Sequence, residues 1–226
     1  MNEFNHSKIN EFNPLDNNDN NNLNPLLSSV ELLGMSPAGS VIRAGPYGNK
    51  SSPIKIAYLI GVHPQEKNSH QAILNMLLKN QGDLKYCYYI YIVGVKPGTH
   101  DYNESRYYGQ LLAYKYAVSD MEKNKFNLVV DVHSNQGKYE KRTFIFTALP
   151  QDLSISITGF LVRNISGLSY YVPPRSIEPT STPYISEPLI KNGIPALVYE
   201  TYRNETLKIS EKKAEEFIMT LDHYKF

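Results

Sequence analysis

The sequence has one cysteine, almost no net charge and no long apolar run, and each shortage removes a class of explanation. With Cys87 alone among 226 residues, neither a disulfide framework nor a thiolate-rich metal site can form within one chain. Any metal ion would have to rest on histidine and carboxylate groups. The 23 basic and 22 acidic residues leave a formal charge of +1, so no nucleic-acid or membrane-surface footprint is expected. No uncharged apolar stretch approaches the roughly 18 residues of a membrane span. The first residues lack a basic segment followed by an apolar one, so no secretory signal is read there. The expectation is a cytoplasmic protein with no membrane and no nucleic-acid partner.

The length suits one domain with a full core. Residues 1–28 form an Asn-rich tail, expected to be disordered because it cannot bury enough apolar surface to order itself. Its Asp/Asn alternation lacks the central Gly and terminal Glu of a calcium loop. Residues 29–226 then make the domain. The segment from Val30 to Asn49 reads as a strand pair joined by turns. Ile54–Val62, Tyr86–Val95, Leu128–His133, Thr143–Leu149 and Pro195–Glu200 read as strands. Helices are predicted over Glu66–Lys79, Glu104–Lys123 and Ser186–Asn192, the last closed by Gly193, and from a cap at Ser210 to about His223. Leu153–Ile165 has β-branched residues but helical length, and Pro173–Pro188 reads as a loop. Strands alternating with helices predict an α/β fold: a single mixed, mostly parallel twisted sheet with helices on both faces.

Three of these strands end in polar residues. His63 and Glu66 follow an apolar run in the sequence Gly-Val-His-Pro-Gln-Glu, His133 ends Asp-Val-His, and Glu200 ends Leu-Val-Tyr-Glu. Groups beyond the carboxyl ends of strands in an open α/β sheet line the ligand crevice. Zinc takes two histidines and a carboxylate with a fourth position left for water, so His63, Glu66 and His133 are candidate ligands for one zinc ion. Asp131, on the same side of its strand as His133, is placed either to support that ligand or to cap its own backbone. A buried or solvated structural histidine is the plainer reading for His70, one helical turn beyond Glu66, and for His100 in a turn-rich loop.

The order of these motifs resembles the zinc carboxypeptidases of the M14 type and the related succinylglutamate desuccinylase and aspartoacylase group. The segment from Gly61 to Glu66 looks like their first ligand motif, and Asp131 to Asn135 (Asp-Val-His-Ser-Asn) like their second. Gly193 to Glu200 resembles their strand bearing the catalytic Glu. The resemblance implies that His63, Glu66 and His133 bind zinc. It also implies that Glu200 is the general base for a metal-activated water and later protonates the leaving amine. A surface or ion-paired Glu200, partnered by Arg203, is the plainer alternative.

Such enzymes need cations for a substrate carboxylate. The family's Asn-Arg pair is interrupted here, as Asn103-Glu-Ser-Arg106. Asn103 and Arg106 are therefore candidate substrate-binding residues, with Arg106 able to give bidentate recognition or simply to pair with Glu104. Arg175 and Tyr184, both in the Pro-rich loop, are further candidates. The expected substrate is a peptide cleaved at its C-terminal bond or a related amide. The alternatives are a deacylase acting on a small N-acyl amino acid and a binding protein that retains the fold without hydrolysis.

Overall fold

The structure, a computed structural model, describes residues 30–98, 100–174 and 181–226; the Asn-rich segment 1–28 and Arg175 lie outside the described residues. Four apolar runs lie side by side at its centre. β4 (Cys87–Val95), β3 (Lys55–Ile60), β5 (Leu128–Asn135) and β8 (Ala196–Tyr202) are mutually parallel neighbours. Their near-continuous hydrophobicity is what a parallel strand covered on both faces requires, and every residue of β5 is buried.

The antiparallel hairpin β1 (Val30–Ser36) and β2 (Gly39–Gly48) extends the sheet on the β4 side. The short strands β6 (Phe144–Phe146) and β7 (Ser169–Tyr170) extend it beyond β8. The described residues thus form an eight-stranded mixed sheet in the order β1-β2-β4-β3-β5-β8-β6-β7.

Period-2 alternation along the strands splits the core into two layers. One lies under α1 (Lys67–Asn80), α4 (Asp152–Asn164) and α6 (Leu207–Asp222), and takes Tyr58, Val130, Val132 and Phe217. The other, with Leu59, Val129, Leu112 and Leu189, lies under α2 (Tyr102–Leu112), a π-helical segment (Ala113–Val118), α3 (Ser119–Asn124) and α5 (Ser186–Lys191). Asp131 and His133 share the parity of Val129, so they point to the α2 side of the sheet.

Two helix starts differ clearly from the sequence reading, and one segment left open there resolves. α2 starts at Tyr102 rather than Glu104, because Asp101 and Glu104 form a capping box: the Glu104 amide donates to Asp101 at 2.8 Å and the Asp101 amide to Glu104 at 3.1 Å. The last helix begins at Leu207 with Thr206 as its cap, leaving Ser210 inside the helix. The 153–165 run is helical, its buried Ser154, Ile157, Thr158 and Leu161 falling at helical spacing. β7, two residues long, is too short to show any period.

Two glycines bring backbones together near the strand ends. Gly61, at φ +83°, lets the chain leave β3 directly under the Val93 carbonyl; a Cβ there would sit 2.1 Å from that oxygen. Gly109 in α2 passes so close to Val62 that a Cβ would lie 1.9 Å from the Val62 oxygen. Gly109→Ala must therefore push α2 off the sheet. The expected cost is about 1–3 kcal/mol, read as a lower midpoint in chemical denaturation with an unchanged slope.

Candidate metal centre

Because β3, β5 and β8 run parallel as neighbours, their carboxyl ends meet at one edge. After Gly61 the chain turns sharply, and the Glu66 amide donates to the His63 carbonyl at 3.0 Å. This turn, stiffened by Pro64, sets His63 and Glu66 on one side just before α1 begins. His133 arrives on β5, and in the β5–β8 ladder it pairs with Glu200.

The three residues converge in the interior, with His63 3 %, Glu66 3 % and His133 2 % exposed. His63 Nδ1 lies 2.9 Å from Glu66 Oε1, and His133 Nδ1 lies 3.0 Å from Glu66 Oε2. The imidazole centroids are 4.5 Å apart. One ligand atom from each residue falls within 4.8 Å of the others. The Ser134 amide adds a hydrogen bond to Glu66 Oε2 at 2.9 Å, and Arg106 Nη1 donates to Glu66 Oε1 at 2.9 Å.

The outer ring nitrogens are also held. His133 Nε2 is 2.9 Å from both Asp131 Oδ1 and Ser181 Oγ, and the Ser181 hydroxyl donates to Asp131 Oδ2 at 2.7 Å. His63 Nε2 faces the side-chain amide of Gln110 at 3.1 Å. Inner nitrogens directed at a common carboxylate and outer nitrogens held by protein partners make a donor set that fits a zinc ion. Asp131 thus touches the histidine rather than capping its own backbone.

The charges follow from this packing. Burial opposes ionisation of Glu66, but His63 and His133 more than offset it and hold the carboxyl well below its usual range. Burial also disfavours the His133 cation, yet Asp131 and Glu66 raise it well above the ordinary histidine value. His63 is lowered, chiefly by burial, with Glu66 opposing.

Glu200 is half-buried, and burial pushes its carboxyl up to about 8; His133 pulls it down while Glu66 and Asp131 push it up. Asn135, anchored on the Thr201 and Arg142 carbonyls at 2.9 Å, reaches Glu200 Oε2 at 3.5 Å. The recess at Glu200 is narrow, about 30 Å³, and is bordered by Glu66, Tyr102, Arg106, Lys138 and Arg203. Across Tyr102 lies a roomier cavity of about 450 Å³ lined by Gln65, His70, Lys96 and His100.

The three described candidates for substrate contact, Arg106, Asn103 and Tyr184, are dispersed. Arg106 borders the recess but is engaged with Glu66 instead of Glu104, and lies over the Tyr102 ring at 5.6 Å. Asn103 is exposed on the first turn of α2. Tyr184, partly buried, packs against the α2-side core, with Tyr107 at 6.3 Å, and does not border the recess. Arg175 is outside the described residues. Arg203 borders the recess and makes no ion pair with Glu200 among the described residues. His70 is a packed histidine: its Nε2 is 3.2 Å from the Val132 carbonyl, and burial lowers it to about 4. Gln110 and Ser181 carry no motif and were not foreseen; only the three-dimensional approach of α2 and of the segment before α5 brings them in.

Solved structures share this arrangement of sheet and helices. A metallo-carboxypeptidase from Pseudomonas aeruginosa, in complex with (2-guanidinoethylmercapto)succinic acid, superposes with a TM-score of 0.55 at 13 % identity, over 86 % of this chain and 64 % of that one. The chain has the metallo-carboxypeptidase fold. A metallo-carboxypeptidase from Burkholderia cenocepacia gives 0.58 at 12 % identity, covering 85 % and 63 %. The tripeptide-bound cell shape determinant Csd4 from Helicobacter pylori gives 0.54 at 10 %, covering 81 % and 54 %. The chain spans less than two thirds of the length of the carboxypeptidases sharing this fold. No model of a protein family and no curated protein matches the sequence. Among the described residues no helix is long and apolar enough to cross a membrane.

The raised carboxyl of Glu200 has a measurable consequence for a zinc-free sample. Its folded value, about 8, exceeds the ordinary glutamate value near 4.5, so the folded state binds this proton more tightly than the unfolded state. The stability contributed by this proton is therefore fully present below about pH 4.5 and is lost as pH rises through 8. Glu200→Gln removes that part of the slope. Relative to the wild type, its denaturation midpoint should rise as pH increases from about 4.5 to 8 and level off above that.

Proposed function

We propose that the protein is a zinc-dependent hydrolase of an amide bond, with a C-terminal peptide bond as the leading target. The observation that carries this reading is the convergence of three buried donors, His63, Glu66 and His133, with Glu200 on the adjoining strand. In this reading those three residues hold one zinc ion. When bound, that ion supplies Lewis acidity and makes a water acidic enough to ionise near neutral pH.

The chain's own residues do the rest. His133 is oriented by Asp131 and Ser181, and the Glu66 carboxylate is fixed by the Ser134 amide and Arg106. Glu200 accepts the proton of the attacking water and returns it to the departing amine nitrogen as the C–N bond breaks. Its raised value suits a proton carrier near neutrality. With a divalent cation held beside it, Glu200 would be kept in the ionised form that accepts the proton. Asn135 keeps the carboxylate turned toward the recess.

The substrate's own carboxylate needs a cation. Arg106 is engaged with Glu66, and Asn103 is exposed and does not border the recess. Arg203, on the turn after β8, is better placed to meet an anionic substrate group at the recess, with Lys138 alongside. The domain reading, residues 29–226 as one hydrolase domain, goes with this assignment.

The test is a screen of the zinc-loaded protein against short peptides and N-acyl amino acids. Amine release from peptides is expected, abolished by a chelator and restored by zinc. Glu200→Gln should lower kcat by roughly 10²–10⁴-fold on any substrate found while keeping the zinc. Full activity in Glu200→Gln removes the assignment, and release confined to N-acyl amino acids moves the reading to a deacylase. Arg203→Ala should raise KM by roughly 10–100-fold with a smaller change in kcat. An unchanged KM places the substrate anion elsewhere.

A further inference from the structure

We propose that Gln110 is the positioning residue for His63, holding the outer ring nitrogen with a neutral amide that serves in either of two orientations. The inference rests on the metal-site reading above and concerns how the site is supported. Its starting point is an asymmetry. His133 presents its outer nitrogen to an acidic partner, Asp131, backed by Ser181, at 2.9 Å each. His63 presents its outer nitrogen to Gln110, which is 1 % exposed, at 3.1 Å.

The hydrogen bonds around His63 determine one another. Glu66 Oε1, 2.9 Å from Nδ1, can only accept when ionised, so a neutral ring carries its proton on Nδ1. The Nε2 atom is then an acceptor and needs a donor. The Gln110 NH₂ group is that donor, and the observed orientation, with Nε2 of Gln110 nearest the ring, matches.

A cation on Nδ1 reverses the demand: the ring proton moves to Nε2, which must now donate. A carboxylate could meet only the second state, and an ammonium only the first. An amide meets both by turning over, presenting Oε1 in place of the NH₂ group. Gly109 makes the arrangement possible, because any side chain there would meet the Val62 oxygen at 1.9 Å and lift Gln110 away from the ring.

The experiment compares the full chain with Gln110→Leu and Gln110→Glu. Zinc affinity is measured by competition with a chromophoric chelator, and the His63 ring nitrogens by ¹⁵N NMR with and without zinc. Gln110→Leu should weaken zinc binding roughly 10–100-fold, while Gln110→Glu, which can accept from Nε2–H, should recover most of it. In the wild type the His63 proton should sit on Nδ1 without zinc and on Nε2 with it.

Equal zinc affinity in Gln110→Leu overturns the proposal, as does a zinc-free His63 protonated at Nε2. The zinc-free spectrum separates the two readings. Should the wild type bind no zinc, the metal reading fails, yet Gln110→Leu must still shift the His63 Nε2 resonance. An unmoved resonance there overturns the Gln110 assignment by itself.

Discussion

Glu66, 3 % exposed, accepts hydrogen bonds from both imidazoles, from Arg106 and from the Ser134 backbone amide. Removing an ionised carboxylate from water costs several kcal/mol unless its lone pairs are met. The four partners come from three parts of the chain: His63 from the turn after β3, His133 and Ser134 from the end of β5, and Arg106 from the first half of α2. The carboxylate can be buried only if those three elements are in register, so the site and the fold constrain each other. Gly109 relieves the backbone contact that would otherwise hold α2 off the turn after β3, and Gly61 lets that turn pass the Val93 carbonyl of β4.

The ladder order explains why polar residues collect at this edge. β3, β5 and β8 are neighbours and parallel, so a histidine, a histidine and a glutamate at their carboxyl ends cannot avoid one another. Below that edge Val129, Val130 and Leu197 are fully buried, and the polar groups sit where the apolar run stops. The same burial that shapes the charges of His133 and Glu66 raises Glu200, which has fewer hydrogen-bond partners. Two carboxyl groups bordering one recess thus hold their protons very differently.

Much of this was legible in the sequence, for a physical reason. Buried parallel strands demand long apolar runs, and those runs mark their own ends, so His63, Glu66, His133 and Glu200 stood out against them. Asp131 was legible by strand parity, although parity left its partner open. What failed to show were contacts made by approach rather than by pattern. Gln110 sits in a Tyr-rich helix with nothing local to mark it, and Ser181 in a loop of many similar residues. The substrate candidates were the least readable. Arg106 is diverted to Glu66, Asn103 stays at the surface, and Tyr184 packs against the core. Helix starts shifted where capping chemistry outweighed hydrophobic period, as with Asp101 and Glu104, and Ser210 lies within a helix already begun at Leu207.

The central claim is that His63, Glu66 and His133 together hold one cation. X-ray absorption at the zinc edge, on the full chain loaded with one equivalent of zinc and freed of excess, tests it most directly. The account predicts one retained zinc with a first shell of nitrogen and oxygen, showing the multiple-scattering signature of two imidazoles and losing one of them in His63→Ala. A protein that retains no zinc, or a shell without imidazole that His63→Ala leaves unchanged, would contradict it.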